Sequence, residues 1–233
     1  MYVIKTKNLS FNYKKTSVLE SINLLVPAGS IYGCLGKNGA GKSTTIKLLL
    51  GLLSPCEGMV YYNNQELNAN RMCILSKVGS LVESPAYYGN LTGYENLIYL
   101  KYIYGCHSDR IKEVLHKVNL WYAKDNKVKK YSSGMKQRLG IAMALINNPK
   151  ILILDEPLNG LDPEAVFEMR HLLLSLKEEG KTILLSSHIL SEVQKICTHI
   201  GILQQGKLLY QGTLSELLDN GSDLESAYLE LIK

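Results

Sequence analysis

Gly36-Lys37-Asn38-Gly39-Ala40-Gly41-Lys42-Ser43 decides how the rest of this chain is read. It fits the pattern G-x-x-x-x-G-K-[ST], a loop that wraps the phosphates of a nucleotide triphosphate. Backbone N–H groups must approach such an anion closely, and Gly36, Gly39 and Gly41 keep Cβ atoms out of the way. Lys42 can then reach the β- and γ-phosphates, and the Ser43 hydroxyl can ligate Mg²⁺. The flanks agree. Ser30-Ile31-Tyr32-Gly33-Cys34-Leu35 reads as a short buried strand, and Ile46, Leu49, Leu50 and Leu53 recur at helical spacing. Strand, glycine loop and helix in that order aim a helix N-terminus, with its dipole and free N–H groups, at the anion.

The totals set bounds around this loop. A chain of 233 residues has room for one large domain, or a domain with a subdomain. A hydrophobic content of 46% supports a substantial core and argues against disorder. The net charge of +5 suits a phosphate ligand or an anionic membrane face, and is too small to argue for nucleic acid. Cys34, Cys56, Cys73, Cys106 and Cys197 are scattered, with no C-x-x-C pair. A metal cluster and a disulfide framework are therefore not expected, and a reducing cytoplasm is. Met1-Tyr2-Val3-Ile4-Lys5 does not open a secretory signal, and no apolar run is long enough to span a bilayer. Any membrane span must come from another chain.

Periodicity predicts strands alternating with helices. Two strands are expected within residues 2–26, the second running from Val18 to Val26 before the turn Pro27-Ala28-Gly29. Met59 to Tyr62 and Gln65 to Leu67 read as a hairpin around Asn63-Asn64, and Lys77 to Val82 as a strand. Residues 84–149 read as a mostly helical insertion, with helices over 93–104, 109–120 and from Ser132-Ser133 to about Asn147. Ile151-Leu152-Ile153-Leu154 has the continuous apolar character of a strand buried on both faces. Asp162 and Pro163 suit the N-cap and first position of a helix that Gly180 ends. Thr182 to Ser186 is the next strand, a helix follows from about Ile189 to Cys197, and His199 to Tyr210 reads as a hairpin. The tail from 213 reads as helical and amphipathic. The pattern implies an α/β fold with a largely parallel core.

Three further places carry chemistry. Asp155-Glu156 ends the apolar strand, where one carboxylate can hold Mg²⁺ and the next can orient and deprotonate water. His188 follows the strand ending in Ser186, and loops at the carboxyl ends of parallel strands are where such sheets bind ligands. Ser132-Ser133-Gly134-Met135 opens a helix, so it reads equally as a second anion seat and as an ordinary cap.

In this order the motifs resemble those of the ATP-binding subunits of ABC transporters, over nearly the whole chain. Gly36 to Ser43 resembles the Walker A motif, Ile151 to Glu156 the Walker B motif, and Tyr131 to Met135 the Leu-Ser-Gly-Gly-Gln signature. Asn159-Gly160-Leu161-Asp162 resembles the D-loop, and His188 the switch histidine. Tyr13, with Phe11 as second candidate, stands where the family stacks an aromatic ring on adenine. The signature departs from the family pattern in carrying Tyr131, Ser133 and Met135. Glu83 occupies the place of the Q-loop glutamine, and an ionised carboxylate there cannot donate a hydrogen bond. Glu83 to Thr92 resembles the corresponding segment of bacitracin-type exporters and lantibiotic self-immunity transporters, in which a glutamate recurs at this place.

The resemblance implies a P-loop NTPase (RecA-like) core, with an N-terminal antiparallel β subdomain and a helical signature subdomain. The implied boundaries are 1–83 with 150–212 for the core, 84–149 for the helical subdomain and 213–233 for a helical tail. ATP and Mg²⁺ are the implied ligands. Tyr13, Gly36, Asn38, Gly39, Gly41, Lys42, Ser43, Thr44, Ser132, Gly134 and Asp162 would bind nucleotide. Ser43, Asp155 and Glu83 would meet the metal, and Glu156, His188 and Lys42 would be catalytic. In the family, ATP lies between the Walker A of one subunit and the signature of another. A homodimer closing on ATP and docked on integral membrane permease subunits, at the cytoplasmic face of the membrane, is thus expected, with no nucleic acid. The implied function is ATP-driven export of a lantibiotic or similar membrane-active peptide. The alternatives are another drug or lipid exporter, an importer, a catalytically dead binding module, and a soluble ABC ATPase acting on ribosomes or DNA. Soluble ABC ATPases usually carry two ATPase domains or a long coiled coil, and no heptad array occurs here.

Overall fold

The computed structural model describes residues 1–218 and 223–233. The chain opens with β1 (Tyr2–Tyr13), β2 (Thr16–Ile22) and β3 (Leu25–Pro27), then β4 (Ile31–Leu35) and α1 (Lys42–Leu49). β5 (Glu57–Tyr62), β6 (Gln65–Glu66), α2 (Arg71–Leu75) and β7 (Val78–Leu81) follow. Three helices come next: α3 (Gly93–Tyr104), α4 (Arg110–Lys117) and α5 (Ser133–Leu145). Strand and helix then alternate through β8 (Ile151–Leu154), α6 (Pro163–Glu178), β9 (Thr182–Ser187) and α7 (Leu190–Ile196). The remainder is β10 (His199–Gln204), β11 (Lys207–Thr213), α8 (Leu214–Leu217) and α9 (Leu224–Leu231). The helical tail expected from 213 is α8 and α9, and its residues 219–222 lie outside the described residues.

A six-stranded sheet in the order β11-β10-β4-β9-β8-β7 forms the centre. Its strands pair in parallel except β11, which runs antiparallel at the edge. Because side chains alternate along a strand, each central strand feeds two cores. Ile31, Leu35, Leu152, Leu154, Ile183 and Leu185 join one cluster, with α3 to α7 packed on it. Tyr32, Cys34, Ile151, Ile153 and Leu184 join the other, shared with α1 and the second sheet. That sheet is antiparallel, in the order β2-β1-β5-β6, with β3 also paired to β1. The helices between 93 and 145 have no separate core. Leu97, Val114, Leu139 and Leu145 lie in the same cluster as β8 and β9.

The strand expected from Val18 to Val26 is two strands. Ser21 takes φ +52, and β2 and β3 pair with different stretches of β1. The apolar positions announce the break. Leu19 has one parity, whereas Ile22, Leu24 and Val26 have the other, so a continuous strand would expose one set. Elsewhere the local rules hold. Asp162 caps α6, its Oδ1 accepting from the Ala165 N–H at 2.8 Å, with Pro163 at the first position. Thr92 and Glu95 form a reciprocal capping box on α3.

Candidate nucleotide site

β4, β9 and β8 are neighbours and parallel, so their carboxyl ends share one edge of the sheet. β4 runs into the glycine loop, β8 into Asp155 and Glu156, and β9 into Ser186, Ser187 and His188. Pairing of Leu154 with Leu185 brings Asp155 beside Ser186. The loop has its shape for identifiable reasons. A Cβ on Gly36 would lie 2.5 Å from the Leu203 carbonyl oxygen. Gly41 takes φ +107 as the N-cap of α1, a conformation costly for any side-chain-bearing residue.

The charged groups of this edge form one network. Lys42 is 6% exposed, and its Nζ donates to the Gly36 carbonyl at 2.8 Å. The same Nζ is 3.3 Å from Glu156 Oε1. Glu156 Oε2 is 2.9 Å from His188 Nδ1, and since an ionised carboxylate only accepts, Nδ1 carries the proton of this bond. Asp155 is 3% exposed. Its Oδ1 accepts from Ser186 Oγ at 2.6 Å and from Ser43 Oγ at 3.2 Å. Ser186 Oγ also accepts from the Glu156 N–H at 2.8 Å, so one hydroxyl fixes both carboxylate residues. Glu156 itself takes φ +47, an uncommon conformation for a non-glycine residue.

Of these groups Lys42, Ser43, Glu156 and His188 line a cleft of about 560 Å³, whereas Gly36, Asp155 and Ser186 lie outside its lining. Asn38, Gly39, Gly41, Lys42, Ser43, Thr44, Glu156 and His188 face it, as do Asn159, from the segment resembling the D-loop, and Val18, which sequence reasoning did not assign. Ser186 was missed as well. Its signal was a hydroxyl at the end of the strand before His188, but only the order of strands reveals what it touches. Burial pushes the Cys34 thiol up to about 12, so this cysteine behind the loop stays a neutral thiol.

Other expected residues lie outside the cleft lining. Tyr13 is 47% exposed, its ring edge-on to Phe11 at 4.8 Å, whereas Phe11 is committed to the core. Ser132 is exposed and caps α5, its Oγ accepting from the Met135 N–H at 3.2 Å. Gly134 packs on α6, where an added Cβ would meet Ala165 Cβ at 2.7 Å. Asp162 is occupied in capping α6. Glu83, at φ +59, pairs with Lys47 of α1 at 2.6 Å. The hydrogen bond from Lys47 holds the Glu83 carboxyl below the usual carboxylate range. Tyr87 and Tyr94 pack on the helical core, whereas Tyr88, Tyr99 and Tyr102 are exposed.

Comparison with known proteins agrees with this geometry. The family model described as ABC transporter matches residues 19–159. The bacitracin transport ATP-binding protein BcrA of Enterococcus faecalis is 47% identical over 218 residues, 93% of this chain and 71% of that protein. The lantibiotic transport ATP-binding protein SrtF of Streptococcus pyogenes is 43% identical over 224 residues, covering 94% and 96%. Among solved structures, the dimeric ATP-binding cassette MJ0796, in a post-hydrolysis state bound to ADP and Pi, is 29% identical. It superposes with a TM-score of 0.81 over 91% of this chain and 98% of that one. Five motifs in order, a cleft that gathers the ends of β4, β8 and β9, and these likenesses reach one conclusion: the chain belongs to the ABC transporter family, as an ATP-binding subunit that hydrolyses ATP to power transport.

Proposed function

We propose that this subunit powers export of a membrane-active peptide antibiotic, a lantibiotic or a bacitracin-like compound, and so confers self-immunity or resistance. The observation that carries the cargo reading is the identity with BcrA and SrtF, together with a glutamate at position 83. In this reading residues 1–83 and 150–212 are the ATP-binding core, 84–149 the signature subdomain and 213–233 an appended tail. The subunit works at the cytoplasmic face of the membrane on permease subunits. Among the described residues, no helix is long and apolar enough to cross a membrane.

Position in the cleft supports the following roles. Lys42 and the N–H groups of the loop from Asn38 to Thr44 hold the phosphates. Ser43 and Asp155 offer hard oxygen donors 3.2 Å apart, a donor set that fits Mg²⁺. Among the described residues there is no cluster of three acidic, His or Cys side chains to hold a metal unaided. Phosphate oxygens and waters then complete the shell, and the bound ion neutralises phosphate charge. Glu156 is the general base for the attacking water, and His188 both orients its carboxylate and meets the γ-phosphate. Ser132 and Gly134 act across a head-to-tail homodimer, in keeping with their place outside the cleft of their own copy. Tyr13, exposed at the tip of β1, supports adenine by stacking. Glu83 couples the site to the permease through its pairing with Lys47.

Deleting the gene from its host tests the cargo. Sensitivity to bacitracin or a lantibiotic should rise severalfold, and be restored by the wild-type subunit but not by Glu156→Gln. Unchanged sensitivity to every such peptide would contradict the cargo reading.

A further inference from the structure

Two chain paths leave the nucleotide site and are joined again away from it. One runs from Glu156, just past β8, by way of Asn159 in the cleft lining, into α6 at Pro163. The other runs from His188, just past β9, into α7 at Leu190. At the site the hydrogen bond from His188 Nδ1 to Glu156 Oε2, at 2.9 Å, closes one end. The other end is closed between the helices. Arg170 of α6 donates twice to Oε2 of Glu192 on α7, from Nε at 3.1 Å and from Nη2 at 2.8 Å. The Glu192 side chain is 12% exposed and that of Arg170 23%. Arg170 lies about two turns into α6, and neither partner lines the cleft.

The helix α7 needs this second closure. It has 7 residues, too few to hold its place without tertiary contacts. Its N-cap, Ile189, offers no side-chain acceptor. Ile189 alone separates His188 from the first turn, and Ser187 on the other side is buried, so the seat of α7 sets where the imidazole points. Val193 and Ile196 pack in the cluster that holds Met169 and Leu173 of α6. Apolar contact of this kind is non-directional and does little to stop a short helix from turning or sliding. Two hydrogen bonds converging on one carboxylate oxygen are directional. Lys195 also reaches Glu192, at 2.8 Å from Oε1, but it belongs to α7 and ties that helix only to itself. Gln194 accepts from the Leu224 N–H and so ties α7 to α9, not to α6.

We propose that Glu192, gripped by Arg170, is a positioning residue for His188: the pair fixes α7 against α6 and so keeps the imidazole hydrogen-bonded to Glu156. The proposal rests on the reading of His188 as a working residue of the ATP site.

Steady-state ATP hydrolysis by the full chain tests it, in a cycle of Glu192→Ala and His188→Ala. Glu192→Ala should lower kcat roughly 3- to 30-fold, less than the roughly hundredfold that a 1 Å misplacement can cost. KM for ATP should stay within about twofold, since the phosphate loop is untouched. Once His188→Ala has removed the imidazole, adding Glu192→Ala should cost less than about a further twofold. A kcat that Glu192→Ala leaves unchanged, or an equal loss in both backgrounds, overturns the proposal. If Glu192→Ala does not fold, Arg170→Lys, which keeps the cation without the planar fork, enters the same cycle. If His188→Ala turns over too slowly to measure, NMR of the His188 ring in the nucleotide-free chain decides. Its Nδ1 signal should shift between wild type and the Glu192 variant, and identical signals overturn the proposal. The parent variant separates the two readings. A kcat that His188→Ala leaves unchanged faults the reading of His188 itself, whereas a loss in His188→Ala with none in Glu192→Ala faults only the role of Glu192.

Discussion

Ser186 is the residue on which the two carboxylates of the site depend. Its hydroxyl donates to Asp155 and accepts from the Glu156 N–H, and it is fully buried. Ser186→Ala removes both bonds and leaves a buried carboxylate and a backbone donor short of partners. At about 1–3 kcal/mol for an unsatisfied buried group, kcat should fall roughly 5- to 100-fold. ATP turnover at saturating nucleotide reads this directly, with the melting temperature recorded to separate loss of fold. A kcat within twofold of wild type would show that the hydroxyl does not align the pair. Lys42, Ser43, Asp155, Glu156 and His188 were legible in the sequence because each sits at the end of a motif that is local in the chain. Ser186 was not, because its partners depend on β9 lying between β4 and β8. The pairing of Glu83 with Lys47 was hidden for a similar reason, since it joins the loop after β7 to a helix that follows β4.

Among the elements, the helical segment shows how a departure from a family pattern is accommodated. Tyr131, where leucine is usual, is 4% exposed, and its hydroxyl donates to the Ala123 carbonyl at 2.7 Å. A Cβ on Gly93 would lie 2.3 Å from that hydroxyl, so the first residue of α3 is small where the phenol needs room. Tyr131 thus ties the segment before α5 to the turn at Ala123 and packs its phenol against the start of α3. Tyr131→Phe should lower stability by about 0.5–1.5 kcal/mol through the loss of one net hydrogen bond, the Ala123 carbonyl keeping the bond it accepts from the Asn126 N–H at 3.0 Å. Chemical denaturation measures this, and KM for ATP should stay within twofold. A larger change in KM than in stability would give Tyr131 a role at the site instead. Helices were legible where caps and periodicity agreed, as Asp162-Pro163 and the stripe Ala165, Met169, Leu172, Leu173 and Leu176 did for α6. The break between β2 and β3 was read through, because apolar residues continue across it and only their change of parity marks Ser21. The sharing of one core by α3 to α5 and the parallel sheet depends on tertiary contacts that no local pattern encodes.

For the whole molecule, the decisive feature is an incomplete site. Lys42, Ser43, Glu156 and His188 line the cleft, with Asp155 buried behind Ser43, while Ser132 and Gly134 of the same copy lie outside its lining. A triphosphate gains from donors on both of its sides, and in the proposed function a second copy supplies what the first leaves open. The central claim is that ATP draws two copies together through this site, and that Glu156 then ends the closed state by hydrolysis. Sedimentation velocity of Glu156→Gln with MgATP tests this most directly. ATP should shift the 26.0 kDa chain to the mass of a dimer that persists because turnover is lost, and adding Ser132→Arg should return it to the monomer. No shift on adding ATP, or a dimer that survives Ser132→Arg, would contradict the account.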